Sequence, residues 1–357
     1  MTPGASWYAI MSQFKVTELG QDGQGWQDYV SRSPGASFYH SLEWRDVICR
    51  TFGHQARYLV AEQGGAVRGV LPMIEMRSRL FGHFLVSLPF VNYGGILADS
   101  PEGEHALANA AVELARRQGA SHIELRQSSP PTEPLEGWTL RQHKAALVIP
   151  MQGDPKPHWD GLSSRLRGKV RKAEKNGALF TSGGREDLED FYFLYALNMH
   201  NLGTPVYSRT FFENVVAQSG QDVQLLLVRR EGRPAAAAIS IRQGNRMELP
   251  WICQDYGAAS FNVNEFLYWK CIERACAQGI AELDLGRSSI DAGTYRFKTQ
   301  WNPEVRPLHW YYWTAPGRPL PQLSPDNPKY ALAVKYWKRI PLAIANRIGP
   351  HIVRNIP

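Results

Sequence analysis

Residues 247–289 read MELPWICQDYGAASFNVNEFLYWKCIERACAQGIAELDLGRSS. The run opens as a strand, which Asp255-Tyr256-Gly257 breaks. Val263, Phe266, Leu267, Cys271 and Ala275 then recur at the three–four spacing that lays one apolar stripe along a helix. Gly279 supplies the stop, and Glu282-Leu283-Asp284-Leu285 reads as a second strand leading to Ser288-Ser289. Residues 84–129, FLVSLPFVNYGGILADSPEGEHALANAAVELARRQGASHIELRQSS, follow the same plan. An apolar strand over 84–91 is broken at Tyr93-Gly94-Gly95, and a helix carries Leu107, Ala110, Ala111 and Leu114 on one face. Gly119 caps it, and His122-Ile123-Glu124-Leu125 runs to Ser128-Ser129. The two segments align at an offset of 160.

Each segment is preceded by a glycine-turned hairpin. Strands over 57–62 and 67–74 flank Gly64-Gly65, and strands over 224–229 and 235–241 flank Glu231-Gly232, at an offset of 168. So many elements in one order mark two copies of one unit. Three antiparallel strands followed by a helix and one more strand give an α/β (α+β mixed-sheet) domain with helices packed on the sheet. Ahead of the second meander, a helix over 162–176 turns Leu162, Leu166, Val170 and Ala173 inward. A further helix over 188–202 turns Phe191, Tyr192, Tyr195 and Met199 inward. The domain bounds expected are 1–155, 156–315 and a tail over 316–357.

Composition sets the class. Of 357 residues, 43% are apolar and 20% charged, which is ordinary globular composition. No run approaches the roughly 20 apolar residues of a membrane-spanning helix, and Met1 to Met11 lacks a secretory pattern. Cys49, Cys253, Cys271 and Cys276 form no metal or CxxC spacing, which argues against a zinc finger, a redox motif or a disulfide scaffold and for a reducing compartment. The net charge of +7 is concentrated. Arg165, Arg167, Lys169, Arg171, Lys172 and Lys175 face only Glu174, and seven basic residues from Arg318 onward face only Asp326. Such clusters suit a polyanionic partner, or else the solvated faces of helices.

The order ααβββαβ is the layout of the GNAT acyltransferase fold, and two such domains in tandem resemble the FemAB-like aminoacyl transferases and BioF2-like acyltransferases. The resemblance extends to about residue 315. It is carried by the basic helix Leu166 to Gly177, by Leu202-Gly203-Thr204-Pro205-Val206 and by Asn262-Val263-Asn264-Glu265-Phe266-Leu267-Tyr268-Trp269. Asp284-Leu285-Gly286-Arg287-Ser288 with Phe297-Lys298-Thr299-Gln300-Trp301 completes it, while Glu43-Trp44 and Tyr93-Gly94-Gly95 add weaker matches. The chain looks most like the FemAB-related proteins of exosortase (PEP-CTERM) and exopolysaccharide systems, but it lacks the coiled-coil arm of some Fem enzymes. The reading is of a cytoplasmic enzyme, with peripheral contact at the inner membrane as one of two readings of its basic tail. It would move an aminoacyl or acyl group from aminoacyl-tRNA or acyl-CoA to an amine of a nucleotide- or lipid-linked peptidoglycan or exopolysaccharide precursor. No metal and no bound cofactor is expected.

Acyl transfer needs an aligned amine, a destination for its proton and a stabilised oxyanion. Lys298, between Phe297 and Trp301, suits the last task, and the resemblance implies a lysine at the reaction centre there; a solvated strand end is the alternative. Arg287 could fork onto a phosphate or carboxylate, or pair with Asp284 or Asp291. Asp284 and Asp255 are candidate proton acceptors, though aspartates at strand ends commonly cap turns. Arg167, Arg171 and Lys172 could meet substrate phosphates. Thr204, Tyr207, Asn264, Tyr295, Phe297 and Trp301 are candidate substrate contacts, with Asn262 or Asn264 alternatively a helix cap. Tyr93, Gly94 and Gly95 could admit a ligand close to the backbone, or simply turn the chain. His200 is a packed or surface histidine before it is a base.

Coenzyme-A-dependent GNAT enzymes hold pyrophosphate on a Q/R-x-x-G-x-G/A loop. Asp255-Tyr256-Gly257-Ala258-Ala259-Ser260 lacks its leading Gln or Arg and its second glycine. Five prolines over 316–328 suggest an extended linker. The helix expected over 330–340, with Lys335, Lys338 and Arg339 beside Leu332, Tyr336 and Trp337, suits either an anionic membrane surface or docking on the first domain.

Overall fold

Each copy of the repeat builds its own compact unit in the computed structural model, which describes residues 14–20, 23–78, 81–218, 222–320 and 328–356. The first unit comprises Met1–Gln142, Pro307–Gln322 and Asn355–Pro357. Its strands in chain order are β1 (Lys15–Glu18), β2 (Gln55–Ala56), β3 (Leu59–Gln63), β4 (Ala66–Leu71), β5 (Ile74–Ser78), β6 (Gly82–Val86), β7 (Leu97–Ala98), β8 (His122–Gln127) and β9 (Thr139–Arg141). A later strand, β17 (His309–Thr314), joins them. The helices are α1 (Gln24–Arg32), α2 (Leu42–Phe52) and α3 (Pro101–Gln118). The sequence suggests one sheet, but the strands form two, ordered β1-β3-β4-β7 and β2-β5-β6-β8-β17-β9. The break falls at Pro72-Met73, because proline has no N–H to continue a ladder.

The second unit comprises His143–Arg306 and Leu323–Arg354. Its seven-stranded sheet runs β11 (Leu179–Gly183), β12 (Val223–Arg230), β13 (Arg233–Gln243), β14 (Arg246–Gln254), β15 (Glu282–Ser289), β10 (Lys144–Pro150) and β16 (Glu304–Pro307). The helices are α4 (Pro155–Gly161), α5 (Ser164–Lys175), α6 (Leu188–Leu202), α7 (Arg209–Gln218), α8 (Val263–Ala277), α9 (Gly293–Thr299), α10 (Pro328–Trp337) and α11 (Leu342–Val353). The duplicated strand–helix–strand segments appear as the parallel pairs β6/β8 and β14/β15. The stripe Val263, Phe266, Leu267, Cys271 and Ala275 is buried with Leu166, Val170 and Ala173 of α5 in one core. Burying a residue of this size stabilises by about 1.5–3 kcal/mol.

The expected bounds at 155/156 and 315/316 give way to crossings near 142 and 306. Residues 144–150 pair antiparallel with β15, and 309–314 pair with β8 and β9. The tail helices, within Leu323–Arg354, belong to the second unit instead of docking on the first. His200 Nε2 lies 2.7 Å from the Ile340 carbonyl, Gly203 abuts Val334 and Gly349 abuts Val206. Pro341 ends the first tail helix by standing at the N-terminal cap of α11. Most of the proline-rich stretch, 321–327, lies outside the described residues, as do Met1 to Met11. No described helix is long and apolar enough to cross a membrane.

Candidate active site

Strands β14 and β15 run parallel for three residue pairs only, ending at Glu248↔Asp284, although both continue well past that point. Two features of β15 accompany the parting. Against β10 its register slips between Ala146↔Arg287 and Val148↔Asp284, so β15 carries one extra residue in a bulge. Gly286 stands in that bulge at φ +77°, where a Cβ would meet the Leu249 carbonyl at 3.1 Å. Only glycine fits both the torsion and the approach.

Lys298 fills the resulting position. It is on α9 and not at a strand end, because the chain after β15 coils into a helix at Gly293. Its ammonium donates to the Gly286 carbonyl at 3.1 Å and the Arg287 carbonyl at 3.0 Å. Burial lowers its pKa from 10.5 to about 8. Asp284 and Glu248 oppose that shift and Arg287 adds to it. Asp284 is fully buried, with Oδ1 accepting from the Gly286 amide at 2.8 Å and Oδ2 from Arg246 at 3.1 Å. One oxygen fixes the bulge and the other holds Arg246 of β14, so neither stands free as a base. Arg287 is half-buried beside it.

Aromatic packing anchors α9. Tyr268 meets Phe297 edge-on at 5.0 Å and stacks on Trp301 at 5.6 Å, and Tyr295 packs on the same core. Trp301 is 2% exposed, and neither its Nε1 nor the Ser288 hydroxyl has a hydrogen-bond partner among the described residues. Tyr207 belongs to a second aromatic group with Tyr195, Phe211 and Phe212, and Trp251 of β14 packs on Phe211 and Phe212. Thr204 is exposed after the left-handed cap Gly203. Asn264 is half-buried in the first turn of α8. Asn262 occupies the cap position at φ +59° but makes no side-chain cap bond.

Several candidates serve the fold. Arg167 donates to the carbonyls of Asp160 and Leu162 at 3.0 and 2.8 Å, so it closes the end of α4 and does not await a phosphate. Arg171 lies over the Trp159 ring, and Lys172 is exposed. Tyr93, Gly94 and Gly95 are buried in the first unit. A Cβ at Gly94 would strike Leu88 at 2.4 Å, and one at Gly95 would strike the Gln127 side chain. Those glycines permit close packing of protein on protein, and the expected ligand approach is filled. The strand expected over 84–91 stops at Val86, because Leu88 and Phe90 turn left-handed at φ 59° and 71°. The fully buried Arg126 holds this turn, donating to the Val91 carbonyl at 2.7 Å while pairing with Glu124 at 2.7 Å. Asp255 caps the turn after β14 by accepting from the Gly257 amide at 2.8 Å. Arg246 and Glu248 escape a reading of the sequence, since only the parallel register brings them to Asp284. No group of three or more metal-ligating side chains occurs among the described residues.

Residues 162–299 match the family model described as an acetyltransferase (GNAT) domain, a span that contains Glu248, Asp284, Gly286, Arg287 and Lys298. The site therefore lies in the segment that matches the acetyltransferase (GNAT) domain model, and both units share a GNAT-like fold. No curated protein matches the chain. Among solved structures it is similar to FemX, with a TM-score of 0.66 and 14% identity over 89% of this chain and 100% of that one. It is similar to the C-terminal domain of a putative lysylphosphatidylglycerol synthetase from Agrobacterium fabrum, with a TM-score of 0.53 and 12% identity over 82% and 91%. A tandem GNAT protein from the clavulanic acid biosynthesis pathway matches at a TM-score of 0.55 and 13% identity over 86% and 100%.

Proposed function

We propose that the second unit transfers an aminoacyl group from an aminoacyl-tRNA to an amine of a nucleotide- or lipid-linked cell-envelope precursor. The observation that carries this reading is the half-buried Lys298, its ammonium held by two backbone carbonyls at the parting of β14 and β15. The acceptor nitrogen forms a bond to the acyl carbon, the ester C–O bond breaks, and the proton from nitrogen ends on the departing hydroxyl. Between these events the carbonyl oxygen carries negative charge, which an ammonium in a water-poor site stabilises strongly. Arg287 adds positive charge nearby, and Asp284 with Gly286 fixes the geometry.

The donor assignment draws on the loop after β14. The carboxylate of Asp255 already takes the Gly257 amide, which places negative charge where a pyrophosphate would need donors. An acyl-CoA donor is the second reading, favoured by the similarity to a tandem GNAT protein whose structure is described as being without AcCoA. Peripheral attachment to an anionic inner-membrane surface is supported by the exposed Lys335, Lys338 and Arg339 beside Tyr336, which is 62% exposed. An exopolysaccharide or PEP-CTERM setting rests on the sequence resemblance.

Mass spectrometry of envelope precursors from cells with the protein, without it, and with Lys298→Met tests the proposal. A precursor lacking one amino-acid mass in the last two supports aminoacyl transfer, and a missing acetyl mass supports the coenzyme A route. Identical precursors in all three would refute catalysis and favour a membrane-docked assembly factor.

A further inference from the structure

Helices α4, α5 and α8 border a cavity of about 410 Å³ in the second unit, and none of its lining residues belongs to β14, β15 or α9. Its aromatic part is a pair of indoles, Trp159 and Trp269, with ring centroids 4.6 Å apart and planes inclined at 56°. Its charges balance: Asp154, Glu174 and Glu273 stand against Lys156, Arg171 and Lys270. The basic excess of α5 therefore does not extend into this cavity, and a polyanion gains no net attraction there.

Some of these groups are satisfied internally. Glu273 accepts from the Trp269 indole at 2.8 Å and from Lys270 at 2.7 Å, and Lys156 pairs with Asp160. Two differ. The Arg171 guanidinium lies 5.3 Å from the Trp159 ring centroid and makes no hydrogen bond or ion pair among the described residues. Glu174, on the same helix, makes none either. A forked donor held over an indole but with no hydrogen-bond partner among the described residues, and a carboxylate acceptor likewise without a side-chain partner, thus stand together.

A neutral sugar ring matches that combination. Its C–H face packs on an aromatic surface, while each hydroxyl both donates and accepts. The volume falls at the lower end of the range for small-ligand sites, about 300–1,000 Å³, which suits one or two rings. The geometry points to a binding subsite for neutral pyranose carbohydrate on the helical layer of the second unit. This subsite does not depend on the transfer reaction.

The test uses the full chain with 15N-labelled tryptophan, titrated with N-acetylglucosamine and its β-1,4-linked trimer. Inorganic phosphate and a short single-stranded RNA are titrated separately. The Trp159 indole signal, assigned by its disappearance in Trp159→Phe, is expected to move saturably with the sugars and to stay fixed with phosphate or RNA. Arg171→Ala and Glu174→Ala, both at exposed positions that leave the fold intact, each weaken sugar binding roughly three- to tenfold. Lys298→Met leaves the titration unchanged, so the subsite and the transfer reading fail independently. A fixed Trp159 signal at tens of millimolar sugar, or a signal that follows phosphate or RNA instead, overturns the assignment.

Discussion

Replacing Lys298 by methionine removes a buried charge while keeping most of the side-chain volume. In the native protein the ammonium has a pKa of about 8 against 10.5 for the ordinary side chain. A base whose pKa falls on folding opposes folding wherever the unfolded chain holds the extra proton. That cost is complete below about pH 8, shrinks as pH rises and vanishes above about 10.5. The full shift corresponds to roughly 3 kcal/mol, and raising the pH from 7 to 9.5 recovers about 2 kcal/mol of it. Water around the half-buried side chain trims this, so about 1–2 kcal/mol is expected. Methionine has no such titration. Urea denaturation of both proteins at the two pH values should show the native protein gaining that much on Lys298→Met as pH rises, with equal m-values. A native stability that stays level with pH relative to Lys298→Met, or falls behind it as pH rises, refutes the buried-ammonium account, whatever happens to activity.

Gly286→Ala should cost about 2 kcal/mol in denaturant melts, from the left-handed torsion and the contact with the Leu249 carbonyl. It should also abolish transfer by displacing the carbonyls that hold Lys298. Arg126→Met removes the buried ion pair with Glu124 and releases the Leu88–Phe90 turn, so a loss of about 3–5 kcal/mol is expected in thermal or urea unfolding. Neutralising Lys335, Lys338 and Arg339 together should weaken sedimentation with phosphatidylglycerol vesicles by about 3 kcal/mol in binding energy while leaving activity on a soluble acceptor intact.

The duplication was legible because both copies keep the same punctuation: a hairpin glycine, an apolar helix stripe, and Gly119 or Gly279 after it. Helices over 162–176 and 188–202 appear as α5 and α6, since periodicity reports burial directly. What stayed hidden depends on long-range register. No local pattern says that residues 144–150 enter the second sheet, or that Arg246 reaches Asp284 across a parallel pair. Lys298 reads as a strand end in the sequence, yet Tyr268 offers a stacking surface that a short helix satisfies better. Tyr93-Gly94-Gly95 illustrates the opposite error, where glycines that look like room for a ligand turn out to be room for Leu88 and Gln127.

Because β10 is threaded between β15 and β16, and β17 between β8 and β9, the gene cannot be cut once to give two autonomous halves. Severing the chain at 155/156 would strand an orphan β10 on the amino-terminal fragment and β17 on the other, each fragment missing the very piece its neighbour carries off. Shuffling or deleting one duplicate during evolution would meet the same obstacle, so the pair is inherited as an indivisible module.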